Sequence, residues 1–122
     1  MKAYLIDPFT KSINEVDYDG DWRSISKIIG NDCTNFDVVG FPGGRHSIFI
    51  DDEGLIKGEL APFFKPSWIL TPLSGRGLVL GTTSEGDSCD VSVPLRALQS
   101  DIEWLDVATV VRNARDGIYD QR

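Results

Sequence analysis

The chain has 122 residues, of which 41% are hydrophobic and 25% charged, and its formal net charge is -7. This length and composition predict one globular domain with one core and exclude a chain that is disordered throughout. Binding to nucleic-acid backbones and anionic membranes depends on lysine and arginine, so the excess of carboxylates argues against direct contact with either. A protein partner is the interaction that this charge favours.

The first part of the chain predicts a β-hairpin and then a helix. Residues 2–6 and 12–18 have strand composition and flank a turn with proline in its favoured second position. Apolar residues then recur at helical spacing over 22–29, and Gly30 can end that helix. Trp22 opens the apolar face, and like most of the aromatic residues it is expected in the core.

The middle of the chain predicts further strands. Two apolar runs at 36–41 and 46–50 flank a turn rich in glycine and proline, which is typical of a second hairpin. Residues 61–66 contain two prolines and are expected to form a loop rather than a central strand. Residues 68–71 and 78–82 are predicted strands.

The last part of the chain predicts two helices around one strand. Proline suits the first turn of a helix, so Pro94 predicts a short helix over 95–100. A strand over 102–105 follows, and Asp106 is the expected N-cap of a final helix that runs to Arg115.

Runs of strands with interspersed helices and no regular βαβ alternation predict an α+β fold. We expect an antiparallel or mixed sheet of about five to seven strands, with two or three helices packed on one face. A single compact domain is expected over residues 1–122, with 117–122 as a frayed tail. No apolar run reaches the roughly eighteen residues that a membrane span requires, and a cytoplasmic protein is expected.

No catalytic residue, cofactor or metal site is predicted. The spacing of Asp17, Asp19 and Asp21 resembles the start of a calcium loop, but Ile28 stands where the bidentate glutamate is needed. Carboxylates just before a helix are more simply interpreted as caps and dipole partners. The glycines from Gly75 to Gly81 lack the spacing of a nucleotide-binding loop and are interpreted as structural.

One catalytic alternative stays open. His46 is the only histidine, and with Cys33 or Cys89 it could supply a base and a nucleophile. A small-molecule-binding protein or small hydrolase built around the loop 43–46 and Cys33 is therefore an alternative function. Neither cysteine lies in a recognised nucleophile motif, so a non-enzymatic protein is favoured and both thiols are expected to be reduced.

Two features predict a surface that binds protein. Phe63 and Phe64 are flanked by prolines and are expected to form an exposed anchor for a partner or for a second copy, which leaves a homodimer or a self-assembling structural module open. Acidic clusters at predicted turns could form one face that imitates a row of phosphates, although solubility alone also explains them. The candidate binding residues are Asp17, Asp19, Asp21, Asp51, Asp52, Glu53, Phe63 and Phe64, with Asp101, Glu103 and Asp106 as further members of the acidic face.

Several short motifs carry a family resemblance. They are Tyr4-Leu5-Ile6-Asp7-Pro8, Val16-Asp17-Tyr18-Asp19-Gly20, Ile28-Ile29-Gly30-x-Asp32-Cys33, Ile50-Asp51-Asp52-Glu53-Gly54-Leu55-Ile56-Lys57-Gly58 and Gly75-x-Gly77-Leu78-Val79-Leu80-Gly81. This pattern resembles a small domain-of-unknown-function family found in bacteriophages, plasmids and other mobile elements.

The resemblance implies an accessory role. Small acidic proteins of mobile elements often bind and inhibit host machinery, including restriction and CRISPR systems. The leading hypothesis is thus a non-enzymatic phage or mobile-element protein that acts in the host cytoplasm on a host or element-encoded protein.

Overall fold

A computed structural model describes residues 1–30, 35–51 and 62–119. In these ranges the chain forms, in order, β1 (Lys2–Asp7), β2 (Ser12–Asp17), α1 (Trp22–Ile29), β3 (Phe36–Gly40), β4 (His46–Asp51), β5 (Phe63–Pro66), β6 (Leu73–Ser74), β7 (Gly77–Thr82), β8 (Ser88–Cys89), α2 (Leu95–Asp101), β9 (Ile102–Leu105) and α3 (Val107–Arg115).

The strands form two antiparallel sheets. The main sheet has the order β2-β1-β7-β4-β3, and β8 pairs with the end of β7 to make six strands in the described part of the chain. The second sheet has the order β6-β5-β9. The predicted α+β class is confirmed, and the main sheet has a strand number within the expected range. No helix in the described ranges is long and apolar enough to cross a membrane.

Both faces of the main sheet are apolar, because every residue from Gly77 to Leu80 on the central strand β7 is buried. Leu78 and Leu80 pack with Ile25 and Ile29 of α1 on one face. The opposite face carries a cluster that includes Val79 and residues of the second sheet and α2. The helices therefore contact both faces of the sheet, where the sequence led us to expect one.

The sequence signals for α1 act as predicted. The carboxylate of Asp21 accepts a hydrogen bond from the amide of Arg23 at 3.0 Å and caps the first turn. Gly30 has φ of 79°, and its amide donates to the carbonyl of Ser26 at 2.9 Å. A left-handed glycine ends a helix at low steric cost, so both ends of this short helix are defined locally.

The two sheets meet where Phe64 packs against Gly77. Phe64 is fully buried, and an ideal Cβ placed on Gly77 would lie 2.8 Å from the Phe64 ring and 2.8 Å from the Cγ2 of Ile48. Gly77 does not have a positive φ. Position 77 therefore requires glycine because other side chains approach its backbone closely. This close approach lets β5 pack directly on the main sheet.

Two secondary-structure predictions were wrong. The expected loop 61–66 contains β5, which is the central strand of the second sheet between β6 and β9. Pro66 is the last residue of β5, so its missing N–H does not interrupt the ladder. The expected strand 68–71 is a turn, which the amide of Ile69 closes by donating to the carbonyl of Pro66 at 3.1 Å.

The C-terminal helix is at the periphery. Asp106 caps α3 as predicted, because its carboxylate accepts from the amide of Thr109 at 2.7 Å. No residue of α3 is buried. Residues 117–119 continue as a hydrogen-bonded turn, in which the amide of Ile118 donates to the carbonyl of Asn113 at 3.0 Å. The predictions that concern Cys33, Asp52, Glu53 and the end of the tail lie outside the described residues.

The close approach of Phe64 and Ile48 to Gly77 leads to a prediction about stability. Gly77→Ala should lower the free energy of unfolding by about 1–3 kcal/mol, since the added methyl group overlaps Phe64 and Ile48. Gly40→Ala is the matched control, because Gly40 is also a strand residue and has open space where a Cβ would stand. We expect Gly40→Ala to change stability by no more than about 0.5 kcal/mol. Urea unfolding of the two variants measures both, and equal effects would contradict the packing argument.

Candidate functional site

The predicted acidic cluster at 17–21 has local structural roles. Asp19 accepts from the hydroxyl of Ser24 at 2.7 Å and from the amide of Asp21 at 2.8 Å. Asp21 accepts from Arg23 and caps α1. These hydrogen bonds lower the pKa of both carboxyl groups, so both are ionised at neutral pH. Burial raises the pKa of the Tyr18 phenol, and the charges of Asp19 and Asp21 raise it further.

In the described part of the chain, the remaining candidate carboxylates, and Asp17 itself, lie on different elements of the fold. Asp17 lies opposite Lys2 in the β1–β2 ladder, on the edge strand β2. Asp51 ends β4, which is three strands away, and lies at the opposite end of the strands. Strand spacing and rise place these two residues roughly 20 Å apart. Asp106 caps α3, while Asp101 accepts from Ser67. Asp17 and Asp51 are thus well separated on the main sheet, and a continuous acidic face remains a prediction.

Phe63 and Phe64 do not form an exposed anchor, so that expectation was wrong. Phe63 is 4% exposed and Phe64 is fully buried. Both lie in β5 and pair with residues of β9, and Phe64 packs on the main sheet. Because these rings already fill the interior of one chain, they are not available to pack between subunits.

The exposed aromatic surface lies elsewhere, on the face covered by α1. The ring of Trp22 lies 6.5 Å from that of Phe36, and Phe36 makes an edge contact with Phe49 at 5.6 Å. Val38 pairs directly with Phe49 across β3 and β4. Trp22 is 65% exposed and Val38 is 49% exposed. We call these four residues the aromatic patch.

Carboxylates lie next to the aromatic patch in the chain. Asp21 directly precedes Trp22, and Asp37 lies between Phe36 and Val38 on the edge strand. Asp37 is exposed and accepts from the amide of Val38 at 2.8 Å. Trp22 opens the apolar face of α1, and most aromatic residues were expected in the core, so its exposure was not predicted. The sequence feature that could have indicated this exposure is the position of Trp22 in the first turn of the helix, directly after the capping carboxylate.

A second feature is a surface pocket of about 440 Å³ at the end of the main sheet where β4 begins and β7 ends. It includes most of the loop that the sequence singled out. Among the described residues, its lining consists of Gly43, Gly44, Arg45, Gly81, Thr82, Thr83, Ser84, Cys89 and Ser92.

His46 supports the wall of this pocket and does not act as a free base. Its Nε2 accepts hydrogen bonds from the amides of Ser92 at 3.1 Å and Val93 at 3.2 Å. An imidazole nitrogen that accepts carries no proton, so the ring is neutral with its proton on Nδ1. Burial lowers the pKa of His46, and the neighbouring Arg45 guanidinium lowers it further. Cys33, its proposed nucleophilic partner, lies outside the described residues.

Cys89 lies close to His46 in the register of the sheet, but the two side chains are not hydrogen-bonded. Gly81 pairs with His46 on one side and with Cys89 on the other. A Cβ on Gly81 would overlap the Asp90 carbonyl oxygen and would lie 2.9 Å from the Cys89 sulfur. Gly81 is therefore glycine because β8 approaches closely. Within the described ranges, no three His, Cys, Asp or Glu residues are grouped so that they could hold a metal ion.

In its described part, the protein is an α+β protein with two antiparallel sheets, an exposed aromatic patch and a polar surface pocket. The chain belongs to the family described as Domain of unknown function (DUF3846), whose model matches residues 1–102. This confirms the resemblance to a domain-of-unknown-function family. The match ends before α3, the helix without buried residues. No curated protein and no solved structure matches the chain.

The hydrogen bonds accepted by the buried His46 lead to a prediction about how stability depends on pH. The folded state disfavours the protonated imidazole, so stability is complete above the ordinary pKa of 6.5 and falls as the pH drops towards the lower pKa of the folded state. His46→Gln should reduce this loss, because an amide oxygen can accept from the same backbone amides without taking up a proton. Urea unfolding of both proteins at pH 7.5 and pH 5.5 measures the difference, and equal losses would contradict the assignment.

Proposed function

We propose that the protein is a non-enzymatic accessory protein that binds another protein through the aromatic patch and its neighbouring carboxylates. The 65% exposure of Trp22 carries the proposal. An exposed tryptophan beside half-buried aromatic side chains is typical of a protein-binding surface, and tryptophan is among the residues that contribute most to binding energy.

The geometry of the patch indicates that the Trp22 side chain is held in position before a partner binds. Trp22 lies on α1, which Asp21 caps, and its ring contacts Phe36. A side chain that neighbours already restrict loses less conformational freedom when a partner covers it. Val38 is also exposed and adds to the apolar area that a partner can bury.

The charge of the chain favours a basic partner. Asp37 alternates with Phe36 and Val38 along β3, so its side chain points to the other face of this edge strand. Asp21 already pairs with Arg23 at 3.0 Å. Their charges would attract lysine or arginine residues of the partner at the margin of the patch. The net charge of -7 would also increase the rate at which such a partner is encountered. A protein that binds nucleic acid has a basic surface of this kind.

The expected partner is a host or element-encoded protein of the cytoplasm. The family resemblance to sequences of phages and plasmids suggests that the chain modulates or inhibits this partner, with the nucleic-acid-binding complexes of host defence, such as CRISPR or restriction systems, as the first class to test. Direct binding to nucleic acid or to a membrane is not part of the proposal.

The experiment uses the full chain as bait in lysate from the host cell. Wild type, Trp22→Ala, Asp37→Asn and Ile118→Ala are compared by quantitative mass spectrometry, and each captured protein is then purified and titrated. Ile118 is 55% exposed and lies outside the patch, so it is a matched control. Asp37→Asn removes a charge and keeps an acceptor for the Val38 amide.

We expect a basic protein that binds wild type and Ile118→Ala equally and binds Trp22→Ala at least about tenfold more weakly. Asp37→Asn should weaken binding less and reduce its dependence on salt. The proposal is wrong if Trp22→Ala retains every partner of the wild type. It is also wrong if sedimentation finds a dimer that Trp22→Ala abolishes, since a second copy would then occupy the patch.

A further inference from the structure

The pocket beside Arg45 shares no residue with the aromatic patch and is therefore a separate feature of the molecule. One wall comes from the turn between β3 and β4, and the other from the end of β7 and residues that follow it. A volume of about 440 Å³ is within the range of pockets that hold small organic molecules.

Hydrogen bonds hold the walls of the pocket in place. The amide of Thr82 donates to the carbonyl of Arg45 at 2.7 Å and so connects the two walls. The hydroxyl groups of Ser47 and Thr82 lie 3.1 Å apart and add a second connection. His46 holds the backbone at Ser92 from the other side. A ligand would meet a site that needs little rearrangement.

The charge of the lining favours an anion. Arg45 is the charged residue among those that line the pocket in the described part of the chain, and it forms no ion pair there. Its guanidinium has donors in a fork that matches the oxygens of a phosphate group. Ser84 contributes a hydroxyl that makes no hydrogen bond within the described ranges. Glu85 and Asp87 follow in the same turn but do not line the pocket.

Glycines leave the backbone accessible at the rim. Gly43 and Gly44 have φ of 89° and 74°, and a Cβ at either position would meet nothing within 4 Å. The turn conformation explains why these residues are glycine. As a consequence, no side chain separates the backbone from a ligand beside Arg45.

We propose that this pocket binds a small molecule that carries a phosphate group, with the Arg45 guanidinium as the counter-charge and the Ser84 hydroxyl as a further donor. The volume leaves room beside the phosphate group for a larger polar body such as a sugar or nucleoside. Binding involves no covalent step.

The test is a titration of the isotope-labelled full chain with AMP, adenosine, inorganic phosphate and succinate, followed by amide NMR shifts. Wild type is compared with Arg45→Gln and with Arg96→Gln. Arg96 is an exposed arginine of α2 outside the pocket and provides the matched control.

We expect AMP to shift the amides of Gly43, Gly44 and Ser84, and inorganic phosphate to shift them at higher concentration. Arg45→Gln should weaken AMP binding at least about tenfold, as expected for loss of a charged hydrogen-bond donor, and Arg96→Gln should leave it within about twofold. Trp22→Ala should have no effect on this titration. Binding here and partner binding at the aromatic patch can therefore fail independently.

Three results would overturn the inference. The first is the absence of shifts with both AMP and inorganic phosphate up to about 10 mM, which corresponds to negligible affinity. The second is equal binding by Arg45→Gln and Arg96→Gln. The third is equal binding of adenosine and AMP, or tighter binding of succinate than of either phosphate compound, because the phosphate group would then not be what the pocket recognises.

Discussion

The contact between Phe64 and Gly77 determines how the two sheets are arranged. With no side chain on Gly77, the Phe64 ring reaches the backbone of the central strand and is fully buried. The second sheet and α2 consequently pack on this face of the main sheet, in one cluster with Tyr4, Ile48 and Val79. Burial of this apolar area is the main favourable contribution to folding on this side of the molecule.

The other face is covered differently, and the aromatic patch is a consequence. Ile25 and Ile29 cover Leu78 and Leu80 at the centre. Because α1 packs mainly on β4 and β7, Val38 on the edge strand β3 and much of Trp22 remain exposed.

Features determined by near neighbours in the sequence could be predicted, and those determined by distant contacts could not. Asp21, Gly30 and Asp106 define helix ends within a few residues, so α1 and α3 were placed correctly. The pairing of Phe64 with Trp104 joins residues 40 positions apart, and local proline content concealed it. Likewise, periodicity identified the apolar face of α1 but not which strands that face covers, so the exposure of Trp22 was not predicted. The loop 43–46 was singled out, but only the fold shows that Arg45 lines a pocket together with Ser84.

The most direct test of this account is a double-mutant cycle between residues 64 and 77, measured by urea unfolding. If the Phe64 ring is what excludes a Cβ at Gly77, Gly77→Ala should cost less in the Phe64→Leu background than in the wild type, with a coupling energy of about 0.5–1.5 kcal/mol. Part of the cost should remain, because Ile48 also approaches Gly77. Additive effects within about 0.3 kcal/mol would contradict direct packing of the second sheet on the central strand.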